Sequence, residues 1–267
     1  MNDNIRLIDT HTHLHSGRFD ADREAVLRRA AEAGVVRMIE IGYDLPSSRA
    51  AIRLAEQYPH IYAVVGIQPH YAADVADDWI DTIASLAAHP KVVAIGEIGL
   101  DYYHDRAPHE LQHDLFRHQL AMARDLRLPV VIHSRDAQED TIALLRSDAR
   151  GQPGIMHSFS GDWQYAAACL DVGFHLSFSG PLTFAKAHAL HDAARRAPIE
   201  RLLIETDSPY LAPHPLRGRR NEPANVRLVA ARLAELRDLP LDMLADAVWQ
   251  NAAMLFSLPR AAWGAQP

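Results

Sequence analysis

The chain has 267 residues, 48% apolar and 23% charged, which excludes low-complexity disorder, collagen-like repeats and a disulfide scaffold. With 27 Lys+Arg against 34 Asp+Glu the formal net charge is −7, so any nucleic-acid contact needs a local basic patch rather than bulk charge. The single cysteine, Cys169, rules out an intramolecular disulfide and suits a reducing, cytoplasmic location.

From the N-terminus, the apolar run at 5–14 predicts a first strand, and the amphipathic stretch at 20–33 a helix closed by Gly34. A strand at 36–42, a helix at 47–58 and a strand at 61–67 follow, then strands at 92–98 and 129–133 with a helix at 109–126 between them. Further strands are expected at 154–159, 175–179 and 202–206, with a helix at 183–196, and the chain closes with helices at 223–237 and 241–256. The strands are short runs of consecutive Val, Ile and Leu, the signature of parallel strands buried on both faces. Eight of them alternating with helices, with no linker-like composition shift, predict a single α/β domain over 1–267 folded as a (β/α)8 TIM barrel. The competing open doubly wound sheet favours a Gly-rich phosphate loop after the first strand; here that strand ends in Asp9-Thr10-His11-Thr12-His13. Residues 1–10 carry Asp3 and Asp9 and no apolar run of signal-peptide length, and no stretch approaches the roughly 18 apolar residues of a membrane span. No membrane association and no obligate protein partner are expected.

The chain contains 16 histidines, more than a core needs. His11 and His13, two apart on a strand, project to one face and make a preformed bidentate clamp. Glu97 interrupts the apolar run Ala94–Ile98, His133 and His157 each end an apolar run, and Asp207 follows Leu203-Ile204. Taken singly, each admits a structural reading, such as a buried carboxylate paired with an arginine or a satisfied core histidine. Together, His11, His13, Glu97, His133, His157 and Asp207 all fall at predicted strand ends, where barrel enzymes carry their sites. Six N/O ligands exceed one tetrahedral zinc site and suit two divalent cations about 3.5–4 Å apart. Glu97 is the natural bridge, with His11, His13 and Asp207 on one ion and His133 and His157 on the other. Ligation without thiolate suits Zn, Mn, Co or Ni, with Mg less natural among so many histidines. Cys169 reads as a small core residue of a helix.

These residues stand in motifs: Asp9-x-His11-x-His13-Leu14, Gly66-Ile67-x-Pro69-His70, Ile95-Gly96-Glu97-x-Gly99-Leu100-Asp101, Ile132-His133-Ser134-Arg135, His157-x-Phe159-x-Gly161, Glu205-Thr206-Asp207-Ser208-Pro209-Tyr210-Leu211 and Arg217-Gly218-Arg219-Arg220-Asn221-Glu222-Pro223. Their order and content, from Leu7 to about Phe256, resemble the TatD family of metal-dependent deoxyribonucleases. The resemblance implies a TIM-barrel hydrolase acting on phosphodiesters, a metal site on the six ligands with Glu97 bridging, and His70 near the scissile phosphate. Two positions depart from the family pattern: Gln68-Pro69-His70 stands for the usual His-Pro-His, and His15 follows Leu14 where an Asp is usual. Neither belongs to the ligand set; Gln68, without a titratable proton, bears instead on substrate preference.

Arg217, Arg219 and Arg220 follow the eighth strand and are either a solvated loop countered by Glu222 or the missing cationic patch, since guanidinium forks bind phosphate bidentately. Arg135 is a further phosphate candidate. Tyr102, Tyr103 and Tyr210 admit both base stacking and packing at the mouth. The expected reaction is hydrolysis of DNA phosphodiesters, at single strands or chain ends, by a metal-activated water. Asp207 and Glu97 serve the water, and His70 is the acid for the leaving oxygen. Hydrolysis of C–N or ester bonds, as in a cyclic amide or an aminoacyl-tRNA, is the alternative on the same barrel. A metal-binding protein without catalysis is a third reading, against which the presence of both Glu97 and Asp207 counts.

Overall fold

Eight strands hydrogen-bond in chain order, each parallel to the next: β1 (Leu7–Thr12), β2 (Val35–Ile41), β3 (Ile61–Val65), β4 (Val92–Asp101), β5 (Val130–Arg135), β6 (Gly154–Met156), β7 (His175–Phe178) and β8 (Leu202–Ile204). This computed structural model describes residues 5–259; the two ends of the expected 1–267 domain, 1–4 and 260–267, lie outside the described residues. The barrel closes between first and last strands: Thr12 bridges Ser208, the His13 N–H donates to the Ser208 carbonyl at 2.8 Å, and the Asp207 N–H donates to the His11 carbonyl at 2.9 Å. The expected (β/α)8 barrel is therefore the fold, and the open doubly wound sheet is excluded.

Among the described residues the helices are α1 (Arg23–Glu32), α2 (Leu45–Gln57), α3 (Trp79–Ala87), α4 (His109–Leu126), α5 (Gln138–Asp148), α6 (Trp163–Val172), α7 (His188–Arg196), α8 (Val226–Arg237) and α9 (Leu241–Leu255). Local chemistry explains their starts. Asp44 accepts the Ser47 N–H at 2.8 Å in a capping box, with Pro46 in the first turn of α2. The helix expected at 183–196 begins only at His188, because Gly180–Thr183 forms a 3-10 turn and Phe184 is extended. Cys169 is buried in α6, as expected of a small core residue.

Strands run shorter than their apolar sequences where neighbours splay apart at the mouth, so His13, His157 and Asp207 stand just past β1, β6 and β8 rather than within them. β4 and β5 instead run on as a pair, to Asp101 and Arg135, and Gly99 between them takes a φ of +138°, where a Cβ would sit 2.0 Å from the His133 carbonyl oxygen. Register slips fall between Asp9 and Thr12 on β1 and between Ile95 and Ile98 on β4, the stretches that carry the expected ligands His11 and Glu97.

Candidate metal centre

Glu97, only 2% exposed, stands at the middle of the cluster. Its Oε1 lies 2.8 Å from His133 Nδ1 and 3.1 Å from His157 Nε2, while its Oε2 lies 3.7 Å from His11 Nε2. His11 and His13 bring their Nε2 atoms within 3.2 Å of each other, and Asp207 Oδ1 is 3.7 and 3.4 Å from them. All six sequence-predicted ligands thus meet at one place. Glu97 faces His11 and His13 on one side and His133 and His157 on the other, as two overlapping donor sets. A third set, His11, His157 and Asp207, crosses between them.

The partners on the far side of each ring assign its tautomer. His13 Nδ1–H donates to the Ile41 carbonyl at 3.0 Å, and His157 Nδ1–H donates to Glu205 at 2.9 Å. Their Nε2 atoms therefore present lone pairs to Asp207 and Glu97, acceptor facing acceptor. His11, fully buried and stacked 3.8 Å on His157, has an Nδ1 with no hydrogen-bond partner among the described residues. Converging acceptors at 3–4 Å repel unless a proton or a cation lies between them, so the donor set fits divalent cations.

The electrostatics agree. Burial pushes the Glu97 carboxyl up, but the charges of His157 and His133 and their hydrogen bonds outweigh it and hold it well below the usual carboxylate range. Burial pushes His157 down, yet Glu97 and Glu205 raise it well above an ordinary histidine. Burial and the neighbouring His157 instead hold His11 well below one. Without cations, the cluster gathers protons around the carboxylates.

Three supporting carboxylates escape sequence reasoning as functional residues, although two of them, Asp101 and Glu205, stand within recognised motifs. Asp101 Oδ2 accepts from His133 Nε2 at 2.9 Å, His70 Nε2 at 2.8 Å and His104 Nδ1 at 2.8 Å. The first of these bonds leaves His133 Nδ1 to face Glu97. His70, Asp101 and His104 have the spacing of a further metal triad, but their polar atoms already satisfy one another. Glu205 also accepts the Ser158 N–H at 2.7 Å. Glu40, fully buried, accepts from Thr12, Leu14 and His15, including His15 Nδ1 at 2.6 Å. The departure at position 15 is thus a histidine pinned outside the ligand set. The signal that was available is a carboxylate embedded in an apolar run.

Gln68, the other departure, donates to Glu97 Oε1 at 3.1 Å and so touches the bridge directly. The loop from Pro209 to Asn221 leaves and returns at the end of β8, where the Asn221 N–H bonds the Pro209 carbonyl and its Nδ2 donates to the Thr206 carbonyl at 2.9 Å. On it, Arg217 and Arg219 are exposed, Arg217 lying over the Phe184 ring. Arg220 is engaged elsewhere, its fork 2.7 Å from both Asp22 carboxylate oxygens. Arg135 lies 4.3 Å over the Tyr103 ring. Tyr102 packs: its ring stacks 3.7 Å on His109 and its hydroxyl donates to Asp140.

Comparison with known proteins follows this geometry. Residues 8–257 match the family described as TatD related DNase. The chain is 43% identical to the metal-dependent hydrolase YabD of Bacillus subtilis, over 94% of this chain and 99% of that protein. It is 37% identical to a Pantoea ananatis protein named 3′–5′ ssDNA/RNA exonuclease TatD, over 94% of this chain and 100% of the relative. The solved structure of the TatD homologue YjjV from Escherichia coli superposes with a TM-score of 0.90 at 34% identity, covering 96% of this chain and 99% of that one.

Proposed function

We propose that this chain, which belongs to the TatD-related family of metal-dependent hydrolases, is a 3′–5′ exonuclease that hydrolyses phosphodiesters of single-stranded DNA, and of RNA ends of the same form. The observation that carries the reading is the set of acceptors converging on Glu97 beneath an arginine-bearing loop. The name of the Pantoea relative supports the substrate and the polarity.

Two divalent cations held by His11, His13 and Asp207 and by His133 and His157, with Glu97 between, would acidify a water and neutralise phosphate oxygens. The protein's own groups do the rest. Asp207, partly exposed at the rim with its Oδ1 toward the cluster, is placed to accept the proton of the attacking water. His70, oriented by Asp101 through Nε2–H, serves as the acid in its imidazolium form, giving the Nδ1 proton to the leaving 3′ oxygen and ending as the neutral ring. Arg217 and Arg219 hold the phosphates of the departing strand, while Arg220 braces the loop against Asp22. Arg135 reaches phosphate from the β5 side. Gln68 limits the freedom of Glu97 and offers no proton where the family usually has a histidine.

A metal-reconstituted panel tests the reading: 3′- and 5′-labelled single strands, a simple phosphodiester, a cyclic amide and an aminoacyl-tRNA. The expected result is stepwise loss of the 3′ label. Turnover of the amide or the aminoacyl ester with intact DNA would replace this reading with C–N or ester hydrolysis.

A further inference from the structure

Tyr103 and Tyr210 are 59% and 49% exposed, two large aromatic rings presented to solvent at the rim of a polar site. Tyr103 follows β4 and Tyr210 follows β8, which stand half a turn apart in the eight-stranded order. The two residues therefore stand on opposite sides of the mouth. A row of imidazoles connects them. Tyr103 edges His104 at 5.0 Å, His104 edges His70 at 5.0 Å, and His70 reaches His133 at 5.9 Å. The row continues through His157 at 5.8 Å, His11 at 3.8 Å and His13 at 4.9 Å to Tyr210 at 6.1 Å. The metal ligands lie between the two tyrosines.

Each tyrosine is backed by an exposed arginine from the next strand round the barrel. Arg135, at the end of β5, lies 4.3 Å over the Tyr103 ring; Arg18, after β1, lies 5.7 Å over the Tyr210 ring. Both tyrosine backbones are fixed. The Tyr210 N–H donates to the Asp207 carbonyl at 2.8 Å and its carbonyl accepts from Asn221 at 2.7 Å. Tyr103 sits between Tyr102, locked by Asp140, and His104, whose N–H donates to Asp101 at 2.8 Å. These are rigid platforms with a cation beside each, the pairing by which proteins hold unpaired bases and the phosphates that join them.

We infer that Tyr103 and Tyr210 form two base-stacking subsites on opposite sides of the metal centre, so that the nucleotides flanking the scissile phosphate are both gripped by their base faces. The inference rests on the nuclease reading above and adds what it recognises. Every base has a π-face, so the grip is tolerant of sequence. A base inside a duplex is already stacked, so the grip selects single strands. On the side of the retained strand, the arginine beside the ring holds the next phosphate outward.

The test uses the metal-loaded enzyme and two eight-residue strands of equal charge: oligothymidylate, and the same backbone with abasic spacers in place of the bases. A phosphorothioate form of each, labelled with fluorescein, gives binding by anisotropy, and the phosphodiester form gives kcat and KM. Wild type is expected to bind the base-bearing strand on the order of tenfold more tightly per stacked base. Tyr103→Ala and Tyr210→Ala should each remove about that factor from oligothymidylate binding and raise its KM, while leaving abasic-strand binding and kcat on a small phosphodiester unchanged. Tyr103→Phe and Tyr210→Phe should restore binding, since the ring and not the hydroxyl is used. Equal affinity of wild type for both strands overturns the inference, as does an effect confined to one tyrosine or a loss that phenylalanine does not rescue. Failure of wild type to cut either strand while it turns over an amide or aminoacyl ester would instead count against the nuclease reading.

Discussion

Glu205 holds the Nδ1–H of His157 at 2.9 Å and takes the Ser158 N–H with the same oxygen, so one buried carboxylate sets both the tautomer and the tilt of a metal-facing ring. Replacing Glu205 with Gln keeps the shape but weakens the acceptor and allows the wrong tautomer. Metal affinity at the His133 and His157 side is expected to fall about 10- to 100-fold, with the fold intact. Calorimetric titration of chelated protein with Zn or Mn reads this directly; an unchanged second binding step would show that His157 needs no orienting partner.

Stoichiometry separates bridge from periphery. Elemental analysis after saturation should give two ions per wild-type chain. Glu97→Ala should deplete both sites, because the His11–His13 and His133–His157 donor sets share that carboxylate, whereas His157→Ala should deplete one. A Glu97→Ala protein that still carries two ions would remove Glu97 from the bridge.

Chelation should abolish activity while the far-ultraviolet dichroism stays native, since the apolar barrel core does not depend on the ions. Re-addition of metal should release protons, because Glu97 and Glu205 raise His157 well above an ordinary histidine despite its burial. Titrations in two buffers of different ionisation enthalpy give the number released. None released near neutral pH would mean that the apo cluster is proton-free.

Two of the three arginines of the β8 loop, Arg217 and Arg220, should behave differently. Arg217→Ala is expected to raise KM for oligonucleotides and to flatten the log–log salt dependence of kcat/KM by about 0.7. Arg220→Ala should leave both nearly unchanged and lower Tm instead, because its fork lies against Asp22. That pair has its own pH signature: Arg220 holds the Asp22 carboxyl down at about 2. Its contribution is complete above the ordinary carboxylate range and fades as pH falls toward 2. Equal KM effects from both substitutions would place Arg220 on the substrate.

His175, at the start of β7 and far in sequence from the ligands, is pushed down to about 4 by burial and by the Arg201 charge. The unfolded chain binds a proton there below about 6.5 and the folded one does not, so stability is full above that pH and is lost as pH falls toward 4. The loss approaches about 1.4 kcal/mol per pH unit at most. Urea midpoints of chelated wild type and His175→Gln at pH 7.5 and 5.0 measure it. The acid-induced loss should shrink in the variant, and an identical loss in both would assign the acid sensitivity elsewhere.

The barrel and its candidate ligand layer were legible in the sequence because buried parallel strands write short, unbroken apolar runs, and a lone His, Glu or Asp in or at the end of such a run is conspicuous. His11, Glu97 and His133 needed only that contrast. Glu205 and Asp101 were harder to read, since their role lies in which nitrogen of a distant ring they face, and spacing along the chain does not encode it. Arg220 looked like one of three equivalent arginines, and its partner Asp22 is 198 residues away. Tyr102 and Tyr103 were indistinguishable as neighbours; only the tertiary positions of His109 and Asp140 commit one to packing and leave the other in solvent.

The seam between β1 and β8 has a bearing on biogenesis. The half of the metal centre built from His11 and His13 is completed by Asp207, next to a junction where Asp9 holds Thr206 from 197 positions away. A ribosome delivers these partners far apart in time. The imidazole pair is made with no carboxylate to close it, and the seam cannot form until β8 and Asp207 have followed. On the reading proposed above, full metal loading is therefore expected only once β8 has joined β1, and the nascent chain is expected to be inactive on nucleic acid until then.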